Sequence, residues 1–287
     1  MSTNGPLIHR AASVLAEGPM HTVALAEEVL RLTGSPGAAS AAIFTLLGPD
    51  SRFQVNGEGV WSMAGPGPGT PLSELRFAVV DVETTGGPFG RGHCMTEIAI
   101  YEVRCGVVED GYQSLLNPGR RIPRHIEILT GISNDMVSSA PYFDHIADDV
   151  MERLEGRIFV AHNVSFDWGF VSRQLAEAIG DVPNVERLCT VQMARRLLPR
   201  LRRRNLDALA RHYKIDVTDR HRAHGDALAT ARVLIRLLDE ANRQGIPDLD
   251  ALRAFLRKRR RRSRPRQGQQ LSFLGATPDT DETPRSD

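Results

Sequence analysis

The segment FAVVDVETT, residues 77–85, constrains this chain more than any other. It is an apolar run rich in β-branched residues that ends in two carboxylates, Asp81 and Glu83, placed two residues apart. Such a run reads as a strand buried in a sheet. Side chains alternate across a strand, so Asp81 and Glu83 leave the same face. Burying unpaired carboxylates costs on the order of several kcal/mol unless they coordinate a cation, which makes the pair a poor choice for stability alone. Exposure of both groups at the strand end is the competing reading.

Two further acids stand near predicted helix starts. After the short apolar strand RIFVA comes AHNVSFDWGFV, in which Asp167 precedes Val171 and Leu175 by one and two turns and so faces the sheet. A first-turn aspartate favoured by the helix dipole is the plainer alternative. In HRAHGDALATARVL, His221 and Asp226 would lie about 140° apart if both were helical, too far round to share a site. His221 therefore belongs to the preceding loop, where a mobile imidazole beside an aspartate suits a general base. His224 reads as a surface or packing residue.

Around these segments the chain alternates strands and helices. FAVVDVE, TEIAIYEV and YQSLL predict a three-strand meander. Helices are expected near 143–154, 165–179, 191–197, 205–213 and 224–242. The last carries Ala227, Ala231, Leu234, Leu238 and Ala241 on one face. The expected fold class is α/β, a mixed sheet flanked by helices, over residues 75–244.

Residues 65–71, GPGPGTP, suit neither a helix nor a ladder strand and predict a linker over 65–74. Before it, residues 1–64 predict helices near 11–16, 23–32 and 38–47. Two short strands, 53–55 and 60–63, follow around an Asn56-Gly57 turn. Through residue 64 three arginines face five carboxylates, a net charge of −2 and the wrong sign for gripping duplex DNA. That favours a protein-interaction or substrate-positioning module over a DNA reader. Past residue 244 a short helix near 249–256 leads into RKRRRRSRPR and then a polar, acidic end, expected to be disordered. The basic run suits nonspecific nucleic-acid contact or a solvated tail.

The chain of 287 residues is 41% hydrophobic and 25% charged, enough for one medium domain and a small one. No apolar run approaches the roughly 18 residues of a membrane span, so a cytoplasmic protein is expected. Cys94, Cys105 and Cys189 lack zinc-ligand spacing and read as buried free thiols. Arginines 195, 196, 200 and 202–204 form a basic region that suits a phosphate backbone or a solvated face.

The ordered set D-x-E-T-T, H-N-x-x-F-D and H-x-x-x-x-D resembles the three motifs of the DEDDh exonucleases, the group that includes the proofreading epsilon subunit of bacterial DNA polymerase III. The resemblance spans about residues 75–242, and NPGRRIPRHIEILTGISNDMV resembles the family's connection from third strand to first helix. It implies a ribonuclease H-like fold and a 3′→5′ exonuclease acting on 3′ ends of DNA, with RNA the alternative, in repair or proofreading. Asp81, Glu83, Asp167 and Asp226 would hold two divalent metal ions, with His221 as base. Oxygen ligands without cysteine pairs favour Mg²⁺ or Mn²⁺ over zinc.

The same resemblance puts Thr84 and Thr85 in the pocket of the terminal nucleotide. Phe166 suits base stacking or core packing, while His162 and Asn163 suit shaping of the substrate loop, Asn163 also as a helix cap. The N-terminal pattern resembles the winged helix typified by the RNA polymerase delta subunit. Gln270, Leu271, Ser272, Phe273 and Leu274 resemble the peptide that replication proteins dock into the sliding clamp, with Phe-Leu in place of the usual Leu-Phe. A polymerase or clamp is the implied partner. A noncatalytic end-binding adaptor is the remaining class.

Overall fold

The computed structural model describes residues 5–50, 52–63 and 69–257. The basic run beyond Arg257 and the clamp-like peptide at 270–274 lie outside the described residues.

The N-terminal unit is built from α1 (Gly5–Glu17), β1 (Met20–His21), α2 (Thr22–Leu30), α3 (Pro36–Leu47), β2 (Phe53–Val55) and β3 (Val60–Met63). Its antiparallel sheet has the order β1-β3-β2. The β2–β3 turn closes because the Asn56 side-chain oxygen accepts from the amides of Glu58 and Val60, at 3.0 and 2.9 Å, while Gly59 takes a left-handed φ of 75°. Trp61, buried with Leu25, Ile43 and Leu47, donates its indole N–H to Thr22 Oγ1 at 3.1 Å. Strand β1 has two residues, too short to leave a period-2 signature.

The larger unit carries a five-stranded sheet of order β6-β5-β4-β7-β8. Strands β4 (Arg76–Thr84), β5 (Met95–Arg104) and β6 (Val107–Leu115) are the antiparallel meander. The connection from β6 forms two helices not read from the sequence, α4 (Arg124–Thr130) and α5 (Asn134–Ser138). Then follow α6 (Ala147–Leu154), β7 (Ile158–Ala161), α7 (Val164–Ile179) and β8 (Arg187–Cys189), with β7 parallel to β4 and β8 parallel to β7. The described residues close with α8 (Thr190–Leu197), α9 (Leu206–Tyr213), α10 (Ala223–Arg243) and α11 (Leu249–Arg257).

Alternation along β4 sorts the two cores. Phe77 and Val79 pack with Leu234, Leu237 and Ala241 of α10, while Ala78, Val80 and Val82 pack with α6 and α7 through Val150, Phe170 and Val171. Asp81 and Glu83 continue the Phe77–Val79 face. They therefore emerge at the end of the strand on the α10 side.

The second half of the expected linker belongs to this core. Leu72 and Leu75 are buried, and the Leu72 amide donates to the Pro247 carbonyl at 2.9 Å. Helix α11 is likewise seated, with Leu249 and Leu252 buried and Arg196 lying over the Phe255 ring. The core thus extends past both expected boundaries because apolar residues flanking them find partners. Of the cysteines only Cys189 is buried; Cys94 is part-buried and Cys105 exposed. No helix among the described residues is long and apolar enough to cross a membrane.

Candidate active site

Three carboxylates meet at the end of β4. Asp81, Glu83 and Asp226 each present an oxygen, and these atoms lie within 4.8 Å of one another. Asp226 reaches them from the first turn of α10, its amide bonded to the Arg222 carbonyl at 3.0 Å. Asp167 comes from α7 on the other side of the sheet. It is buried. The tight group is thus three of the four sequence-predicted acids, with Asp167 close enough for its charge to raise Asp81.

Burial and mutual repulsion set the electrostatics. Burial first, then the charges of Asp167, Asp226 and Glu83, push Asp81 well above the usual carboxylate range. Glu83 is pushed up to about 8 by burial and by the charges of Asp226 and Glu97. Asp167 is pushed up to about 7 by burial, against the lowering effect of the nearby backbone at Asp167 and Val82. Carboxylates gathered at this cost in one place form an all-oxygen set that a hard divalent cation fits.

The loop before α10 is tightly wound. His221 sits on a left-handed φ of 60°, exposed, and its backbone N–H donates to Asp226 Oδ2 at 3.2 Å. Gly225 is the residue that permits the winding: a Cβ there would stand 2.3 Å from the Thr218 carbonyl oxygen and 2.5 Å from that of Asp219. Arg220 donates to Asp207 Oδ1 at 2.7 Å and to Asp226 Oδ1. His224 is part-buried and pairs with Asp219 at 3.2 Å.

The other predicted residues divide. The Thr84 hydroxyl donates to the Gly86 carbonyl at 2.9 Å, and Thr85 Oγ1 accepts from the Cys94 amide at 3.1 Å beside His93 Nδ1 at 3.3 Å. Both hydroxyls are spent on folding the loop after Glu83. His162 points into the body of the unit, its Nδ1 2.9 Å from Thr190 Oγ1, and burial lowers it to about 4, which keeps it neutral. Asn163 occupies the N-cap position of α7 without a side-chain capping bond. Phe166 is part-buried and leans on Phe170 at 5.2 Å between ring centres.

One residue at the site left no sequence signal. Glu97 of β5 pairs across the ladder with Glu83, is almost fully buried, and holds Arg222 and the first amide of α10. In TEIAIYEV it stands where an alternating strand allows any polar residue, so nothing in the pattern singles it out.

Residues 78–234 match the family model described as Exonuclease, of RNase T type. The chain is 35% identical over 182 residues to the 3′-5′ exonuclease DinG of Bacillus subtilis, a match covering 63% of this chain and 20% of DinG. It is 33% identical over 183 residues to the PolC-type DNA polymerase III of the same organism, covering 63% and 13%. The chain thus spans a fifth or less of the length of these two relatives. Among solved structures, Exonuclease X in complex with 5′ overhanging duplex DNA superposes with a TM-score of 0.50 at 26% identity, over 63% of this chain and 99% of that one. E. coli Exonuclease I shares the fold, with a TM-score of 0.52 at 14% identity over 60% and 43%. The ribonuclease H-like sheet, the carboxylates at the end of its central strand and the matched span together place this chain in the exonuclease family, among the DEDDh-type 3′→5′ exonucleases.

Proposed function

We propose that this chain is a divalent-metal-dependent 3′→5′ exonuclease that hydrolyses phosphodiester bonds at DNA 3′ ends and releases nucleoside 5′-monophosphates, in repair or proofreading. The observation that carries this reading is the convergence of Asp81, Glu83 and Asp226 oxygens within 4.8 Å at the end of a core strand. The DNA assignment draws on the names of DinG and the PolC-type polymerase and on the duplex DNA bound by Exonuclease X.

Asp81, Glu83, Asp226 and Asp167 would hold two Mg²⁺ or Mn²⁺ ions. When bound, such ions supply Lewis acidity toward the phosphate and charge compensation for the departing 3′ oxygen. His221, exposed and tethered through its own amide to Asp226, accepts the proton of the attacking water. With the Thr84 and Thr85 hydroxyls engaged in the loop, the backbone of that loop is the part left to border the terminal sugar. Phe166 contributes a ring edge at most, and His162 and Asn163 shape the loop ahead of Asp167.

The N-terminal unit, in the helix, strand and hairpin order of a winged helix, is read as a partner-binding or substrate-positioning module. It rests against the larger unit through Glu155, which receives Arg52 and His9. Glu155 lies just before β7, at the opposite end of that strand from the carboxylates. The peptide at 270–274 would recruit a sliding clamp.

The test is digestion of 5′-labelled single-stranded DNA and matched RNA with Mg²⁺, Mn²⁺ or EDTA, comparing the wild type with Asp81→Ala. A metal-dependent ladder shrinking from the 3′ end of DNA, absent in the variant, is expected. Degradation of RNA alone would move the substrate to RNA, and degradation of neither polymer would overturn the reading.

A further inference from the structure

Glu83 and Glu97 face each other across the β4–β5 ladder, a like-charged pair that opposes the sheet unless one member is neutralised. The neutralising group comes from 125 residues away. Arg222 donates its Nε to Glu97 Oε2 at 3.1 Å and Nη2 to Oε1 at 2.7 Å, a two-point grip, and the Ala223 amide donates to Oε2 at 2.8 Å. Ala223 is the first residue of α10, and its amide is one of the donors that a helix start leaves without an internal acceptor. No side chain of α10's own N-cap residue, Arg222, caps it. Glu97 therefore acts as the cap in trans, at the positive end of the helix.

The consequence lies three and two residues either side of this contact. Asp226 is held on the helical turn closed by the Arg222 carbonyl, and His221 adjoins Arg222 in the chain, its amide bonded back to Asp226. Ala99, next but one to Glu97 on the same strand, packs on Ala223 and Ala227, so α10 approaches the sheet closely there. Small side chains allow that approach but fix no rotation of the helix. The bidentate carboxylate fixes it.

We propose that Glu97 is a positioning residue: through Arg222 and the Ala223 amide it sets the rotation and depth of the α10 start, and so the separation of Asp226 and His221 from Asp81 and Glu83. Bound by Arg222, the Glu97 carboxylate orients the acidic group without joining it. This inference rests on the proposed metal-dependent reading, and its test is arranged to be separable from it.

The test titrates the purified full chain with Mn²⁺ alone, followed by electron paramagnetic resonance of the free ion, for wild type, Glu97→Gln, Glu97→Ala and Arg222→Lys. Circular dichroism and thermal unfolding are recorded for each. Loss of such a supporting contact costs about 10- to 100-fold in metal affinity or activity. Glu97→Gln keeps an acceptor for Ala223 and is expected to weaken Mn²⁺ binding about 10-fold, with Glu97→Ala weaker still and Arg222→Lys between wild type and Glu97→Gln. Turnover falls with it, while KM for a short oligonucleotide stays within about twofold. If Glu97→Ala fails to fold, Glu97→Gln decides alone. A folded Glu97→Gln protein with a lowered unfolding temperature but wild-type Mn²⁺ affinity would show a merely structural contact and overturn the proposal. Wild-type protein that degrades no polymer yet loses Mn²⁺ affinity on Glu97→Gln would sink the exonuclease reading and leave the positioning role standing.

Discussion

Arg220 spans two acids, donating its Nε to Asp207 Oδ1 at 2.7 Å and a terminal nitrogen to Asp226 Oδ1. Its charge lowers both Asp81 and Glu83 against the repulsion that raises them. The guanidinium thus competes with any cation for Asp226. Replacing it by methionine, which keeps bulk and removes charge, should tighten Mn²⁺ binding about 3- to 10-fold at low ionic strength. A Mn²⁺ titration checks this; unchanged or weaker binding would show that Arg220 instead supports the site.

The raised carboxylates predict how stability depends on pH. Between the ordinary value of 4.5 and about 8 for Glu83, and between 3.8 and about 7 for Asp167, the folded chain retains protons that the unfolded chain has released. Stability conferred by those protons is therefore lost as pH rises through that window. In EDTA the unfolding temperature should fall between pH 5 and pH 8 by on the order of 5 °C. Mg²⁺ or Mn²⁺ should restore more of it at pH 8 than at pH 5, because ligands must be deprotonated to bind. Calorimetry with and without metal reads both trends, and a flat EDTA profile would contradict them.

Gly225 offers a steric test of the loop. A methyl group there meets two backbone carbonyl oxygens, which cannot rotate away as a side chain would. Gly225→Ala should cost about 1–3 kcal/mol of stability and displace Asp226. Metal-dependent turnover should then fall at least about 10-fold, measured on the same labelled oligonucleotide at a temperature where the variant remains folded.

At the far end of the sheet, Glu155 is 6% exposed and receives both Arg52 and His9. Glu155→Gln removes one charge that each of these groups faces, while Asp50 still pairs with Arg52 and Asp181 with His9. A loss of about 1–3 kcal/mol is expected in the unfolding of the full chain. Exonuclease turnover on a short single strand should be unchanged, because the site lies at the other end of β7. A fall in turnover would show that the N-terminal unit does act at the site.

Much of this architecture was legible in the sequence, for identifiable reasons. Strand β4 announced itself through β-branched residues, and its parity alone places Asp81 and Glu83 on one face. The angular argument that took His221 out of α10 holds, with the residue in a left-handed turn. Asp167 faces inward because Val171 and Leu175 on its stripe are buried. Local rules of this kind depend only on spacing, and spacing is what a sequence records.

Tertiary structure alone decided the rest. Nothing local shows that the Leu72 amide bonds to the Pro247 carbonyl, that the Thr84 and Thr85 hydroxyls are spent on their own loop, or that His162 turns toward Thr190. Glu97 is the clearest case. Its role depends on a guanidinium and an amide more than 120 residues later arriving at one end of a strand. Periodicity specifies which way a side chain leaves its own element. What it meets there is set by the packing of distant elements, where a buried charge must find its partner or the chain does not close.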